Sequence, residues 1–101
     1  MDELAERIAK KIVEEIHPDK VILFGSRARG EAGPESDVDL AVVYSGPKTK
    51  KDIRRQINRL FLDRDFSMDV FVITPDEMEK YRHVANTLAR EVAERGVALY
   101  G

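Results

Sequence analysis

Cysteine is absent from the 101 residues, which excludes a disulfide framework and any thiolate metal centre. Histidine occurs only twice, as His17 and His83, with no spacing that would build an imidazole site. His17 reads as a turn residue beside Pro18, and His83 as a surface residue. No apolar run approaches the ~18 residues of a membrane span, and the opening Met1-Asp2-Glu3-Leu4 is acidic rather than signal-like. A soluble, cytoplasmic chain with no membrane partner is therefore expected. Surplus positive charge is missing as well: 17 basic residues against 19 acidic ones leave a net charge of −2. That argues against general nucleic-acid binding by phosphate neutralisation. There is no internal repeat, low-complexity tract or linker, and the length suits one domain with one small core.

What is present is an orderly succession of helical and extended patterns. Leu4, Ile8, Ile12, Val13 and Ile16 recur at helical spacing, so residues 2–16 are expected to form an amphipathic helix that stops before Pro18. Val21 to Phe24 is a short apolar run ended by Gly25, as in a buried strand. Ser26 can cap a helical turn through Arg29, closed by Gly30, and residues 31–36 (Glu-Ala-Gly-Pro-Glu-Ser) are loop chemistry. From Asp37 to Tyr44 the pattern alternates, with Asp37, Asp39, Ala41 and Val43 on one side and Val38, Leu40, Val42 and Tyr44 on the other. Thr49 and Asp52 mark a helix start, with Ile53, Ile57, Leu60 and Phe61 as its apolar stripe. Met68 to Ile73 is a third strand, with Met68 in the core. Thr74-Pro75-Asp76-Glu77 opens another helix. The helical pattern weakens near His83–Asn86 and resumes through Leu88, Ala89 and Val92 until Gly96, leaving Val97–Tyr100 as a short extended tail. Tyr44, Tyr81 and Tyr100 read as packing groups. The fold expected is α/β (α+β), a small mixed sheet of three or four strands flanked by helices.

The chemistry-bearing residues fall at one end of that sheet. A Gly25-Ser26 turn behind a strand can present N–H groups to a phosphate. Asp37 and Asp39, two apart on a strand, point the same way and can share a metal ion. The strands that open with Asp37 and with Asp69 are joined by a helix, so they are expected to run parallel with their beginnings side by side. The first strand must then run antiparallel to the second for its Gly25-Ser26 end to reach the same place. Arg27 and Arg29 flank that turn, and either can pair with phosphate oxygens; Arg29 is preferred. Lys48, Lys50, Lys51, Arg54 and Arg55 lack interleaved aromatics and read as a solvated helix face.

Two carboxylates ~6 Å apart repel by roughly 3 kcal/mol at an effective dielectric of ~20, so three together call for a cation. Hard oxygen donors select Mg²⁺ or Mn²⁺ over zinc. Two such ions ~3.5–4 Å apart can activate a hydroxyl and neutralise a leaving pyrophosphate in an in-line displacement. Asp37 and Asp39 would bridge metals and triphosphate, while Asp69 would hold the metal on the acceptor side and take the acceptor's proton.

The segment Gly25-Ser26-Arg27-Ala28-Arg29-Gly30 with Ser36-Asp37-Val38-Asp39-Leu40 resembles the signature of the polymerase-beta-like nucleotidyltransferases. In its short length the chain is similar to the minimal nucleotidyltransferases, the antitoxin halves of two-gene modules paired with HEPN-domain toxins. The resemblance runs nearly throughout, with Met68-Asp69-Val70-Phe71 supplying the third acid and Gly96-Val97-Ala98-Leu99-Tyr100 the tail. It implies one minimal nucleotidyltransferase domain over residues 1–101. It also implies β- and γ-phosphate binding by Gly25 and Ser26, both metals at Asp37 and Asp39, and the catalytic metal at Asp69. The activity it implies is Mg²⁺-dependent transfer of AMP from ATP to a tyrosine hydroxyl of a HEPN-type toxin, with a hetero-oligomer or homodimer as the assembly.

Two alternatives remain. One is a non-catalytic antitoxin that neutralises its partner by complex formation; the other is transfer to a small molecule at a dimer interface. With no second domain to hold an acceptor, a protein acceptor that brings its own surface is favoured. A nucleotide-sugar glycosyltransferase would need a far larger fold and would leave the Gly-Ser turn unexplained. A calcium loop is excluded because Val38, Leu40 and Ala41 interleave the acids where oxygen ligands are needed.

Overall fold

In a computed structural model, which describes residues 2–33 and 35–101, the described residues form four helices and four strands. Met1 and Pro34, the proline of the expected loop, lie outside the described residues. The order is α1 (Glu3–Ile16), β1 (Lys20–Phe24), β2 (Val38–Val43), α2 (Lys50–Leu60), β3 (Met68–Ile73), α3 (Pro75–Tyr81), α4 (Leu88–Arg95) and β4 (Val97–Tyr100). This is the mixed α+β class expected.

Local chemistry sets most boundaries. Helix α1 begins one residue later than expected because Asp2 is its cap, accepting the Ala5 N–H at 3.1 Å. It ends at His17, whose left-handed backbone (φ 55°) returns its N–H to the Val13 carbonyl just before Pro18 disfavours further helix. Thr49 caps α2 through the Asp52 N–H. The capping box of α3 is complete: Thr74 Oγ1 accepts the Glu77 N–H at 3.1 Å and Glu77 accepts the Thr74 N–H at 2.9 Å. Thr87 caps α4 through the Arg90 N–H.

The sheet order is β3-β2-β1-β4, with β1 antiparallel to both β2 and β4, and β2 parallel to β3. The extended tail is thus an edge strand. Strand alternation supplies two apolar faces. Val21, Leu23, Leu40, Val42 and Val70 pack against Ile8 and Ile12 of α1 and Ile53 and Ile57 of α2. Ile22, Phe24, Ala41, Val43 and Ile73 pack against Ala89 and Val92 of α4. Each fully buried isoleucine contributes about 1.5–3 kcal/mol of transfer free energy. Met68 and Tyr44 are buried as expected.

One expectation is corrected. Tyr81 and Tyr100 are not packing groups, being 38% and 44% exposed. Tyr81 sits in the last turn of a seven-residue helix with no buried residue, and Tyr100 lies on the edge strand β4. The apolar stripe of α2 faces the core as expected, with Ile53 and Ile57 fully buried, Phe61 half-buried against the same cluster and Leu60 half-buried at the helix end.

Candidate active site

The turn after β1 is shaped by two glycines. Gly25 has φ +75°, and a Cβ placed on it would collide with the Asp39 carboxylate, so both conformation and space require glycine. The chain then makes one helical turn, in which the Arg29 N–H reaches the Gly25 carbonyl at 3.3 Å. The Gly30 N–H returns to Arg27 O (3.3 Å) and the Glu31 N–H to Ser26 O (3.1 Å). With Gly30 at φ +72°, those two bonds make a Schellman closure. Gly30 therefore ends the turn as expected. The leading N–H groups of such a turn take no carbonyl within it.

Arg27 serves the architecture of this turn. Its side chain is only 8% exposed; its Nε donates to the Ser36 carbonyl at 2.9 Å and its Nη1 to Asp2 Oδ2 at 2.8 Å. One carboxylate thereby caps α1 with Oδ1 and anchors the turn with Oδ2. Burial by itself would raise the Asp2 pKa, but the hydrogen bond from Arg27, the Ala5 N–H and the guanidinium charge together hold it below the usual range. Arg29, by contrast, is exposed and pairs with Glu31 through Nε at 2.5 Å and with Glu91 of α4 through Nη1 at 3.5 Å. The bond to Glu31, ahead of the charges of Glu91 and Asp39, raises its pKa further.

The three acids lie at neighbouring strand beginnings. Asp37 is exposed and directly precedes β2, Asp39 is half-buried within it, and Asp69 is exposed on β3. Asp39 and Asp69 are direct partners in the parallel register, and Phe24, which precedes the glycine turn, is the antiparallel partner of Asp39. Strand direction thus brings the turn and the acids to one rim, as chain order alone implies. Asp39 is the point of convergence: burial raises its pKa first, then the negative charges of Asp69 and Asp37. A hydrogen bond with Asp69 adds to this, and the Arg29 charge opposes it.

Among the described residues no three His, Cys, Asp or Glu side chains gather closely enough to hold a metal ion as they stand. The donor set itself, carboxylate oxygens with no sulfur and no paired imidazole, fits a hard divalent cation and not zinc.

Three contributors were beyond sequence reasoning. Asp2 and Glu91 reach the turn from 25 and 62 residues away, with no local signal to announce them. A cavity of about 390 Å³, lined by Glu35, Ser36, Arg64, Asp65, Phe66 and Ser67, lies where the chain enters Asp37 and β3. The basic cluster at Lys48–Arg55 is exposed as expected, with Lys50 paired to Glu77 and Lys48 to Gln56. Among the described residues no helix is long and apolar enough to cross a membrane.

The model of the nucleotidyltransferase domain family matches residues 6–99. A curated relative, protein adenylyltransferase MntA of Aphanizomenon flos-aquae (strain 2012/KM1/D3), is 32% identical over 82 residues, covering 79% of this chain. The chain spans about half, 55%, of that relative's length. Among solved structures the fold is similar to a candidate nucleotidyltransferase from Sulfolobus solfataricus, with TM-score 0.64 and 23% identity over 95% of this chain and 76% of that one. It is also similar to a chain from the complex of a tri-AMPylated Shewanella oneidensis HEPN toxin with MNT antitoxin. There the TM-score is 0.58 and the identity 20%, over 100% of this chain and 73% of that one. At these identities the structural likeness is one of fold.

Proposed function

The chain belongs to the nucleotidyltransferase domain family, and from that membership we propose that it transfers AMP from ATP to a hydroxyl on a protein partner. The acceptor is a tyrosine of a HEPN-type toxin, and the transfer makes this chain the antitoxin of the pair. The observation that carries the reading is the register pairing Asp39 with Asp69 directly beside the Gly25 turn. The curated adenylyltransferase relative and the AMPylated toxin complex support the choice of AMP and of a protein acceptor.

In this reading residues 1–101 act as one minimal domain. The Gly25-Ser26 turn holds the β- and γ-phosphates through backbone N–H groups, with Arg29 against their oxygens. Asp37 and Asp39 would hold both Mg²⁺ ions and Asp69 the one on the acceptor side. When bound, the ions would supply Lewis acidity at the α-phosphate and neutralise the leaving pyrophosphate. The acceptor oxygen attacks the α-phosphorus, a new P–O bond forms, and the bond to the oxygen bridging the β-phosphorus breaks. The hydroxyl proton passes to the Asp69 carboxylate and on to water.

The test is α-labelled ATP with magnesium and the co-expressed HEPN partner. Asp39→Asn is expected to abolish label on the partner while the complex still assembles. Undiminished labelling by the variant would overturn the assignment. The rival reading is a binding module that neutralises its partner by association. It gains the field if Asp39→Asn protects cells as fully as the parent.

A further inference from the structure

The sheet face that bears Asp39 and Asp69 is covered unevenly. Strand alternation puts Asp69, Phe71 and Ile73 on it. Ile73 is 7% exposed within the cluster that α4 completes, whereas Phe71, two residues closer to the acid, is 42% exposed. Phe71 is nonetheless a fixed ring. It packs on the buried Phe24 with centroids 5.7 Å apart and planes tilted by 58°, an arrangement aromatic pairs favour. Phe24 is the register partner of Asp39 and Phe71 that of Ala41, so the two rings form a step just inside the acid pair. Single exposed apolar residues are ordinary on a protein surface. This one differs in being held by a buried ring and in lying on the strand of Asp69.

Direction across the rim adds the second argument. The Gly25 turn ends β1, Asp39 is on the adjacent β2, and Asp69 is on β3, the outermost strand. With pyrophosphate leaving toward the glycine turn, an in-line displacement needs its hydroxyl to enter from the opposite side, over β3. Phe71 lies about 7 Å along the strand from Asp69, at ~3.3 Å per residue. A phenol whose oxygen meets Asp69 can lay its ring on Phe71; an aliphatic alcohol has no ring to place there.

We propose that Phe71 is the acceptor platform of this site and selects an aromatic hydroxyl, the tyrosine side chain, over serine, threonine or a sugar. The inference rests on the nucleotidyl-transfer reading and its tyrosine acceptor, and names the residue of this chain that would select that acceptor. The group transferred and the bonds exchanged are those already given, with the phenolic proton passing to Asp69.

The test uses the whole chain with magnesium and α,β-methylene-ATP, whose Pα–C bond blocks transfer, and N-acetyl-tyrosine amide as the probe. Its ring-proton NMR shifts are followed against the parent, Phe71→Leu and Phe71→Ala, with N-acetyl-serine amide as control. Leucine keeps Phe24 covered, so that variant reports even where alanine loosens the fold. We expect upfield ring shifts with the parent, about tenfold weaker binding with Phe71→Leu, no binding of the serine amide, and nucleotide affinity within about twofold of the parent. Weaker nucleotide binding with unchanged tyrosine-amide binding would make Phe71 a base platform and overturn the proposal. Unchanged binding of both would make the ring structural only, which also overturns it. If the parent itself takes up no nucleotide with magnesium, the transfer reading falls, and the acceptor platform falls with it.

Discussion

Asp39→Asn should separate stability from activity, because the side chain placed for chemistry is the one at which like charges converge. With neighbouring strands ~4.8 Å apart, two facing carboxylates repel by roughly 3 kcal/mol at an effective dielectric of ~20 and by under about 1 kcal/mol in bulk water. Asp39 is half-buried and Asp69 exposed, so solvent screening pulls the value toward the lower limit. Neutralising Asp39 is therefore expected to stabilise the metal-free protein by about 1 kcal/mol, a rise in Tm of about 5 °C for a domain this size. The pH dependence has a definite sign. Because burial and the neighbouring carboxylates raise the folded pKa of Asp39, the native state binds more protons than the unfolded one between the ordinary and the raised value. Stability is lost as pH rises through that window and regained below it. The gain of the asparagine variant should be full at pH 7.5 and fade as the solution is acidified toward the unfolded value. It should shrink with added salt, and also with magnesium, which stabilises only the parent by mass action. Urea melts of both proteins, at low and high salt and at two pH values, measure all of this. A variant no more stable than the parent at neutral pH and low salt, or equally favoured at acid pH, would refute the account.

Two further outcomes are expected. Gly25→Ala should cost about 1–2 kcal/mol in urea melts for its left-handed backbone alone, and should abolish nucleotide binding by calorimetry because the new methyl displaces the Asp39 carboxylate. Gly33→Ala, where nothing lies within 4 Å of the added carbon, is the control and should be neutral. Asp2→Asn keeps an N-cap but loses the charge facing Arg27. The lowered pKa of Asp2 means its contribution is present above the ordinary carboxylate value and vanishes as pH falls through the folded one. The variant should thus be less stable by about 1–2 kcal/mol at neutral pH, with the deficit closing in acid; a deficit that persists in acid would point to capping instead of charge.

The order of residues alone determined those features that depend on neighbours a few positions apart. Thr49 and Thr74 cap helices because their side chains reach N–H groups three residues on. Alternation sorted residues 38–44 between two faces, and a helix between two strands implied their parallel pairing, which set Asp69 beside Asp39. The tertiary structure alone decided which arginine is architectural. Arg27 and Arg29 have the same local surroundings, and only the return of Asp2 under the turn and the approach of Glu91 beside it separate them. It also decided that the tail pairs with β1 while Tyr100 stays half in solvent, and that α4 shelters Ile73 but leaves Phe71 open. Capping and strand parity are written in hydrogen-bond reach and the two-residue repeat, whereas burial and ion pairing depend on how distant elements come to lie against one another.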